Sequence, residues 1–469
     1  MKWFSGKRPC TGSGLLIAFS IAFCSSVAAQ SPLGPAVSGS SKDSDTASPD
    51  RAIAVSTTLS RYYDPLQGTS SNDLVRRALA SNGELAAIRI DIERARARLR
   101  QAGLRPNPTL DFEQTTGRFT GAPGESEISV GLAVPLELGG KRRSRIQLAQ
   151  AELQAAEAEV ADRERRLIND VRTLYVEALA SLRELGTLEE LNDLDLQTTR
   201  FVQARVNEGE TAPIELNQLQ VEVDRLRSRR ALLEGRLQAS LLRLKSVTGI
   251  PLAELLRLRE DISNPSLPLP VTSVEAAIDI ALRTRPDLRL ARLNEEVAQA
   301  GLKLARAYGV PDVTPFTKYS YGRSVFDDTP VGVLRDRDKL LTFGVSVGIP
   351  VFNRNQGAKA EATAAITQAQ RRREFVEAVV RSEVQSAYAR YEAARAAVTT
   401  FEQGVIPRAT ENIRTIRAAY QIGAFSIGDL LGEQRRLVDA QREFTEALAE
   451  RYRALADLQA AIGAPINQQ

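Results

Sequence analysis

The sequence predicts a mainly α-helical chain that carries a membrane β-barrel portion, built from one unit duplicated in tandem. Three observations predict it. Apolar residues recur at helical spacing over very long stretches, a few short segments alternate with period two, and both patterns return about 203 to 215 residues further along.

The chain begins with Lys2, Lys7 and Arg8, then an apolar run from Leu15 to Phe23, then small residues ending Val27-Ala28-Ala29. This is the order of a secretory signal peptide, residues 1–29, with cleavage after Ala29. Cys24 offers a lipoprotein alternative, opposed by the large Phe23 before it. Cleavage at Ala29 removes Cys10 and Cys24, and the exported chain then holds no thiol. Residues 30–70 are rich in Ser, Gly, Pro and Asp and read as a flexible linker or an arm draped on the body.

The first repeat is expected over 71–251. Its strands fall at about 104–135, where Leu110 and Phe112 alternate with Thr109, Asp111 and Glu113, and Ile128, Val130, Leu132 and Val134 with Ser129, Gly131 and Ala133. A helical hairpin follows at about 140–249. From Lys141 to about Glu208 there is no proline, and Leu167, Val171, Leu174, Ala178, Leu182 and Leu185 mark one helical seam. A continuous helix of that length reaches about 100 Å at ~1.5 Å per residue. A break around Gly209 and Pro213 leads to a second helix, which stops at Gly249-Ile250-Pro251.

After a linker over 252–272, the second repeat runs over 273–466, with strands at about 313–350 and a helical hairpin at about 357–463. ISVGLAVP at 128–135 returns as FGVSVGIP at 343–350, Val171 and Tyr175 as Val384 and Tyr388, and Gly209…Glu215 as Gly423…Asp429. The segments 117–125 and 322–338 read as exposed loops.

One apolar and one small-polar face is the pattern of a membrane barrel strand. Two strand pairs per chain cannot close a barrel, since the smallest closed barrels use about eight strands. Unpaired edges cost several kcal/mol per group in lipid, so several chains must share one barrel, and three copies supply twelve strands. The long helices then form a coaxial tube in the periplasm.

Composition excludes several chemistries. The 469 residues contain no histidine, which removes Ser-His-Asp catalysis and imidazole metal ligation. Beyond the signal segment, 59 basic residues meet 58 acidic ones, so there is no cationic excess to bind nucleic acid. Gly139-Gly140-Lys141 lacks the first glycine of a phosphate loop, having Pro135 there, and Arg142 follows the lysine. Nothing points to catalysis, a resident metal or a cofactor.

Taken together, the duplicated strand-pair and hairpin units resemble the TolC-like outer-membrane factors, the exit ducts of tripartite efflux pumps and type I secretion systems. The resemblance covers about residues 70 to 466. Ala102-Gly103-Leu104-Arg105-Pro106-Asn107-Pro108 and Pro135-Leu136-Glu137-Leu138-Gly139-Gly140-Lys141-Arg142 look like the branch serving cobalt–zinc–cadmium, nickel–cobalt and copper–silver resistance–nodulation–division pumps.

The resemblance implies a homotrimer in the outer membrane, with a twelve-stranded barrel continued by a periplasmic α-helical barrel. It also implies a periplasmic adaptor and an inner-membrane proton-driven pump as partners. Pro135 and Pro350 would mark the strand-to-helix transitions, where proline ends a ladder. Gly209 and Gly423 would sit at the adaptor-docking tip, Glu215 and Asp429 in an acidic ring at the periplasmic entrance, and Tyr420 at the contact that closes the tip. Phe425 and Gly432 depart from an arginine and an aspartate found in some relatives. The plainer readings stay open: a hairpin glycine caps a helix, and a first-turn acid answers the helix dipole. Competing functions are a duct for drugs or secreted protein, a soluble periplasmic coiled-coil adaptor or scaffold, and a hydrolase.

Overall fold

The computed structural model describes residues 59–119, 124–265, 267–268, 273–326 and 334–463. The signal segment with Cys24, most of the arm, and Ala464 and Pro465 lie outside the described residues. Within the rest, the element order repeats itself. The first half runs α1 (Ser71–Ser81), α2 (Gly83–Ala102), β1 (Thr109–Thr116), β2 (Ser126–Ala133), α3 (Lys141–Asn207) and α4 (Pro213–Thr248). The second half runs α5 (Val274–Thr284), α6 (Pro286–Ala307), β3 (Val313–Phe326), β4 (Leu334–Val347), α7 (Gln356–Thr400), α8 (Ile406–Gln421) and α9 (Ile427–Ile462).

Helix α3 is a single 67-residue helix, as the unbroken apolar seam predicts, and Gly186 does not interrupt it. Its counterpart is interrupted. A π-helical turn, Phe401–Val405, separates α7 from α8. Pro407, in the first turn of α8, has no N–H to give the preceding turn, so the ladder loosens by one residue there. One proline thus gives the two halves different backbones over an otherwise shared pattern.

The main core gathers helices from both halves. Val171, Tyr175 and Leu185 of α3 meet Leu237 and Leu244 of α4 and Leu448 and Tyr452 of α9, all buried. The segment 59–70, at the end of the expected arm, packs into this core through Leu59 and Tyr62, and the inter-repeat segment through Leu256, Leu258 and Ile262. The two segments meet at a parallel bridge between Thr69 and Leu258. The Tyr175 hydroxyl donates to the Thr69 carbonyl at 3.1 Å and accepts the Glu260 amide at 3.3 Å. One phenol therefore ties both connecting segments to α3. A second core holds Ala281, Leu288, Val380, Val384 and Leu458; Val171 and Val384, matched by the repeat, are both fully buried.

The strands form a single antiparallel sheet in the order β1-β2-β3-β4, so the repeats are joined by the β2–β3 pairing. β1 and β4 are its edges. The structure corrects the reading of 322–338 as a loop: β3 extends to Phe326 and β4 begins at Leu334, with Arg323 opposite Arg337. A charged Arg-Asp-Arg-Asp-Lys run, Arg335 to Lys339, occupies the added length. Its period is two, but without apolar residues it reads as a solvated loop.

Replacing Tyr175 by Phe leaves a part-buried carbonyl and amide without that partner, which costs about 1–3 kcal/mol. A lowered thermal unfolding midpoint, followed by circular dichroism, is expected; an unchanged midpoint contradicts this role.

Candidate functional site

Two places in the fold bring the sequence-predicted residues together: the turn end of the helical hairpins and the polar face of the sheet. At the hairpin ends the turns are built alike. After α3, the Gly209 amide donates to the Val206 carbonyl at 3.1 Å and the Glu210 amide to Arg205 at 2.9 Å. After α8, the Gly423 amide donates to Tyr420 at 3.0 Å and the Ala424 amide to Ala419 at 2.9 Å. These are two Schellman motifs, each requiring a left-handed residue after the helix. Gly209 has φ +77° and Gly423 φ +78°, and a Cβ added at either would meet no atom of this chain within 4 Å. The glycines are needed for backbone conformation, and the space beside each is open. Beside Gly423, Ile422 and Phe425 expose large apolar side chains, at 82% and 47%; the sequence reading gave Ile422 no role.

Beyond the turns the duplication diverges. Helix α9 opens with a capping box: the Ser426 hydroxyl and amide donate to Asp429 Oδ2 at 2.7 and 3.0 Å, and Asp429's own amide donates to the hydroxyl. The two Ser426 donors hold the Asp429 carboxyl below the usual carboxylate range. Helix α4 has Ala212 at that position, which cannot cap, and Pro213 follows it. Glu215 is therefore not used within its own helix. It accepts a hydrogen bond from the Tyr420 hydroxyl at 3.0 Å. Tyr420 is buried with Val202, Leu219, Ile427, Leu430 and Leu431, a small core that joins both hairpins. The structure thus brings Glu215 and Tyr420 together, and places Asp429 in a cap.

Pro135 lies between β2 and α3, and Pro350 between β4 and α7. Gly140 caps α3 with φ +73°, and Lys141 Nζ reaches Asp312 at 2.7 Å. Arg142 donates to the Gly103 carbonyl at 2.7 Å, and Arg145 to the Leu104 carbonyl and to Glu137. The motifs at 102–108 and 135–142 therefore form one joint that fixes α3 to the sheet.

On the sheet, register and alternation put Leu110, Phe112, Val130, Tyr319, Leu341 and Phe343 on one face. The opposite face carries Asp111, Glu113, Glu127, Asp336 and Asp338. A cavity on it is lined by Asp111, Glu113, Ser129, Phe316 and Lys318, and Lys318 Nζ meets Glu113 at 2.6 Å. Asp111 and Glu113 are strand residues of the polar face, as the alternation predicts. Glu127, Asp336, Asp338 and Lys318 were missed as candidates; strand period applied to charged residues is the signal that finds them.

A family model described as outer membrane efflux protein matches residues 74–250 and 277–464. The chain belongs to the outer membrane efflux protein family. The two matched stretches coincide with the two structural halves. Among relatives of this efflux protein, the cobalt-zinc-cadmium resistance protein CzcC of Cupriavidus metallidurans is 23% identical over 394 residues, covering 82% of this chain and 88% of CzcC. The outer membrane protein TolC of Vibrio cholerae is 26% identical over 372 residues, covering 77% and 83%. The structure of CusC matches at a TM-score of 0.70 with 20% identity, covering 87% of this chain and 96% of CusC, and VceC of Vibrio cholerae at 0.67 with 19%, covering 84% and 96%. The efflux protein is thus an outer-membrane exit duct extending into the periplasm.

Burial, and then the bond to Glu215, raise the Tyr420 phenol of this efflux protein from 10.0 to about 12. The folded chain holds that proton more tightly than the unfolded one. The stabilisation is whole below pH 10 and is lost as pH rises from 10 towards 12. Comparing phenolate absorbance titrations of the wild type and Tyr420→Phe should show the missing phenol titrating near 12. A missing phenol that titrates near 10 rules this out.

Proposed function

We propose that three copies of this chain close a twelve-stranded barrel in the outer membrane, and that the shared duct passes heavy-metal cations delivered by a periplasmic adaptor and an inner-membrane proton-driven pump. The observation that carries the cation reading is the polar face of the sheet. It presents acids from β1, β2 and β4, answered among the described strand residues by Lys318. Turned inward around a barrel, such a surface holds a negative potential and concentrates cations. The heavy-metal branch is supported by the name of CzcC and by the two joint motifs at 102–108 and 135–142.

At the periplasmic end, Gly209 and Gly423 leave room for the close approach of an adaptor hairpin, and Ile422 and Phe425 offer apolar surface beside it. Glu215 and Asp429 would surround the entrance. The Tyr420–Glu215 bond would hold it closed, because it spans the two hairpins and must break if they separate. Residues 1–29 would be the export signal and 30–70 a leading arm.

Deleting the gene should sensitise cells to zinc, cobalt, nickel or cadmium; sensitivity to drugs alone overturns the metal reading. In planar bilayers, the Asp111→Asn, Glu113→Gln and Glu127→Gln triple variant should lose cation-over-anion selectivity severalfold, as reversal potentials report. Unchanged selectivity overturns the lumen assignment. A Glu215→His substitution installs an imidazole ligand at the entrance. It should slow metal export in a transport assay, and unaltered export argues against passage beside Glu215.

A further inference from the structure

The extra length of β3 and β4 sorts its charges by face. Arg335, Arg337 and Lys339 alternate with Asp336 and Asp338, so the strand sends its bases to one side and its acids to the other. The bases share the face of Leu341, Phe343 and Tyr319, and β3 adds Arg323, directly opposite Arg337. Lys339 stands opposite Tyr321, and Arg335 opposite Val325. All four cations are exposed. Cations directly opposite each other on a strand pair are destabilising, and the two aspartates of β4, Asp336 and Asp338, lie on the other face. Such a cluster is stabilised by an anion from outside.

Its position suggests which anion. The cluster lies at the end of the hairpin away from the helices, since α6 precedes Val313 and α7 follows Val347. From Val313 to Tyr321 the strand advances about 26 Å at ~3.3 Å per residue. That is close to the ~25 Å apolar band of an outer-membrane barrel. With the apolar face against lipid, the bases stand at the outer headgroup level, continuous with the lipid-contacting surface. Arginine forks match phosphate oxygens in pairs.

We propose that Arg323, Arg335, Arg337 and Lys339 form a binding site for the phosphate groups of a phosphorylated lipid of the outer leaflet, seated on the β3–β4 hairpin. This rests on the barrel reading above, in which the apolar face meets lipid. The lipid would brace a hairpin that protrudes past the shorter β1–β2 pair, which ends at Thr116 and Ser126.

The test uses the full chain reconstituted in phosphatidylcholine nanodiscs. Native mass spectrometry compares the binding of bis-phosphorylated lipid A with that of its dephosphorylated form, and inorganic pyrophosphate is added in a separate arm. The phosphorylated lipid should bind more tightly, with pyrophosphate a weak competitor. Arg323→Gln with Arg337→Gln should weaken it about 30-fold, from roughly fivefold per surface cation. Arg323→Lys with Arg337→Lys should weaken it less than the glutamine pair, since the charge stays and the paired fork is lost, and Asp336→Asn with Asp338→Asn should not weaken it. Equal binding of the two lipids, equal binding of free pyrophosphate, or unchanged binding in the glutamine variant overturns the site. If that variant fails to assemble, the wild-type comparison of the two lipids still decides. Wild-type protein that does not insert as a trimer overturns the barrel reading itself, and insertion without phosphate preference overturns the lipid site alone.

Discussion

An open sheet in a membrane is the constraint on which the rest of the molecule depends. The two edges of the β1-β2-β3-β4 sheet pair with no further strand among the described residues, and lipid supplies no partner. A sheet with one apolar and one charged face can be stable there if its edges meet other edges. On the proposed function, closure by copies of the same chain would turn the charged face inward, as the wall of a passage. Two copies would give the smallest closed barrels, whose interiors side chains fill, whereas twelve strands leave a lumen. The rigid joint of Lys141, Arg142 and Arg145 then matters because it sets how each α3 leaves the sheet. Strand closure and helix packing must hold in the same assembly.

The duplication supplies two similar hairpins to that assembly, and small substitutions give them different tasks. Ser426 and Asp429 spend their polar atoms on starting α9. Ala212 and Pro213 start α4 without a side-chain cap, which leaves Glu215 able to accept from Tyr420. A serine at 212 would compete for the Glu215 carboxylate. The π turn before α8 lies in the same half as Tyr420. A loosened ladder at 401–405 is a place where α8 can bend relative to α7. The tyrosine thus lies beyond the loosened turn, on α8, and the glutamate on α4, which follows the unbroken α3.

Much of this was legible in the sequence because it rests on period. Leucine spacing sets the helices, apolar dyads set the strands, and recurrence sets the two halves. What escaped has physical reasons. The strand segment 335–339 puts charge on both faces, so a search for apolar alternation passes over it, although the alternation of sign is as regular. Leu59, Tyr62 and Leu258 are buried in stretches of loop-like composition, because a core can recruit a few apolar anchors from a polar segment. The Tyr420–Glu215 bond joins residues 205 positions apart; neither repeat predicts it, since Val206 stands where the repeat would place a second tyrosine. Pro407 was visible, but its effect depends on whether the helix continues beyond it.

The missing histidine, first an exclusion, fits a proposed duct for transition metals for a kinetic reason. Conduction needs sites that attract an ion yet release it. Imidazole and thiolate hold such metals tightly, while single carboxylates in water hold them weakly. Among the described residues no three acids converge where they could hold a metal ion. The acids of the polar face are instead spread along the strands, with Asp111 and Glu113 two residues apart, about 6.6 Å at ~3.3 Å per residue. A cation can be handed from one to the next without a cage forming. On the proposed function, a passage of this kind would add attraction without choice, and discrimination among metals would be made before the ion enters the duct.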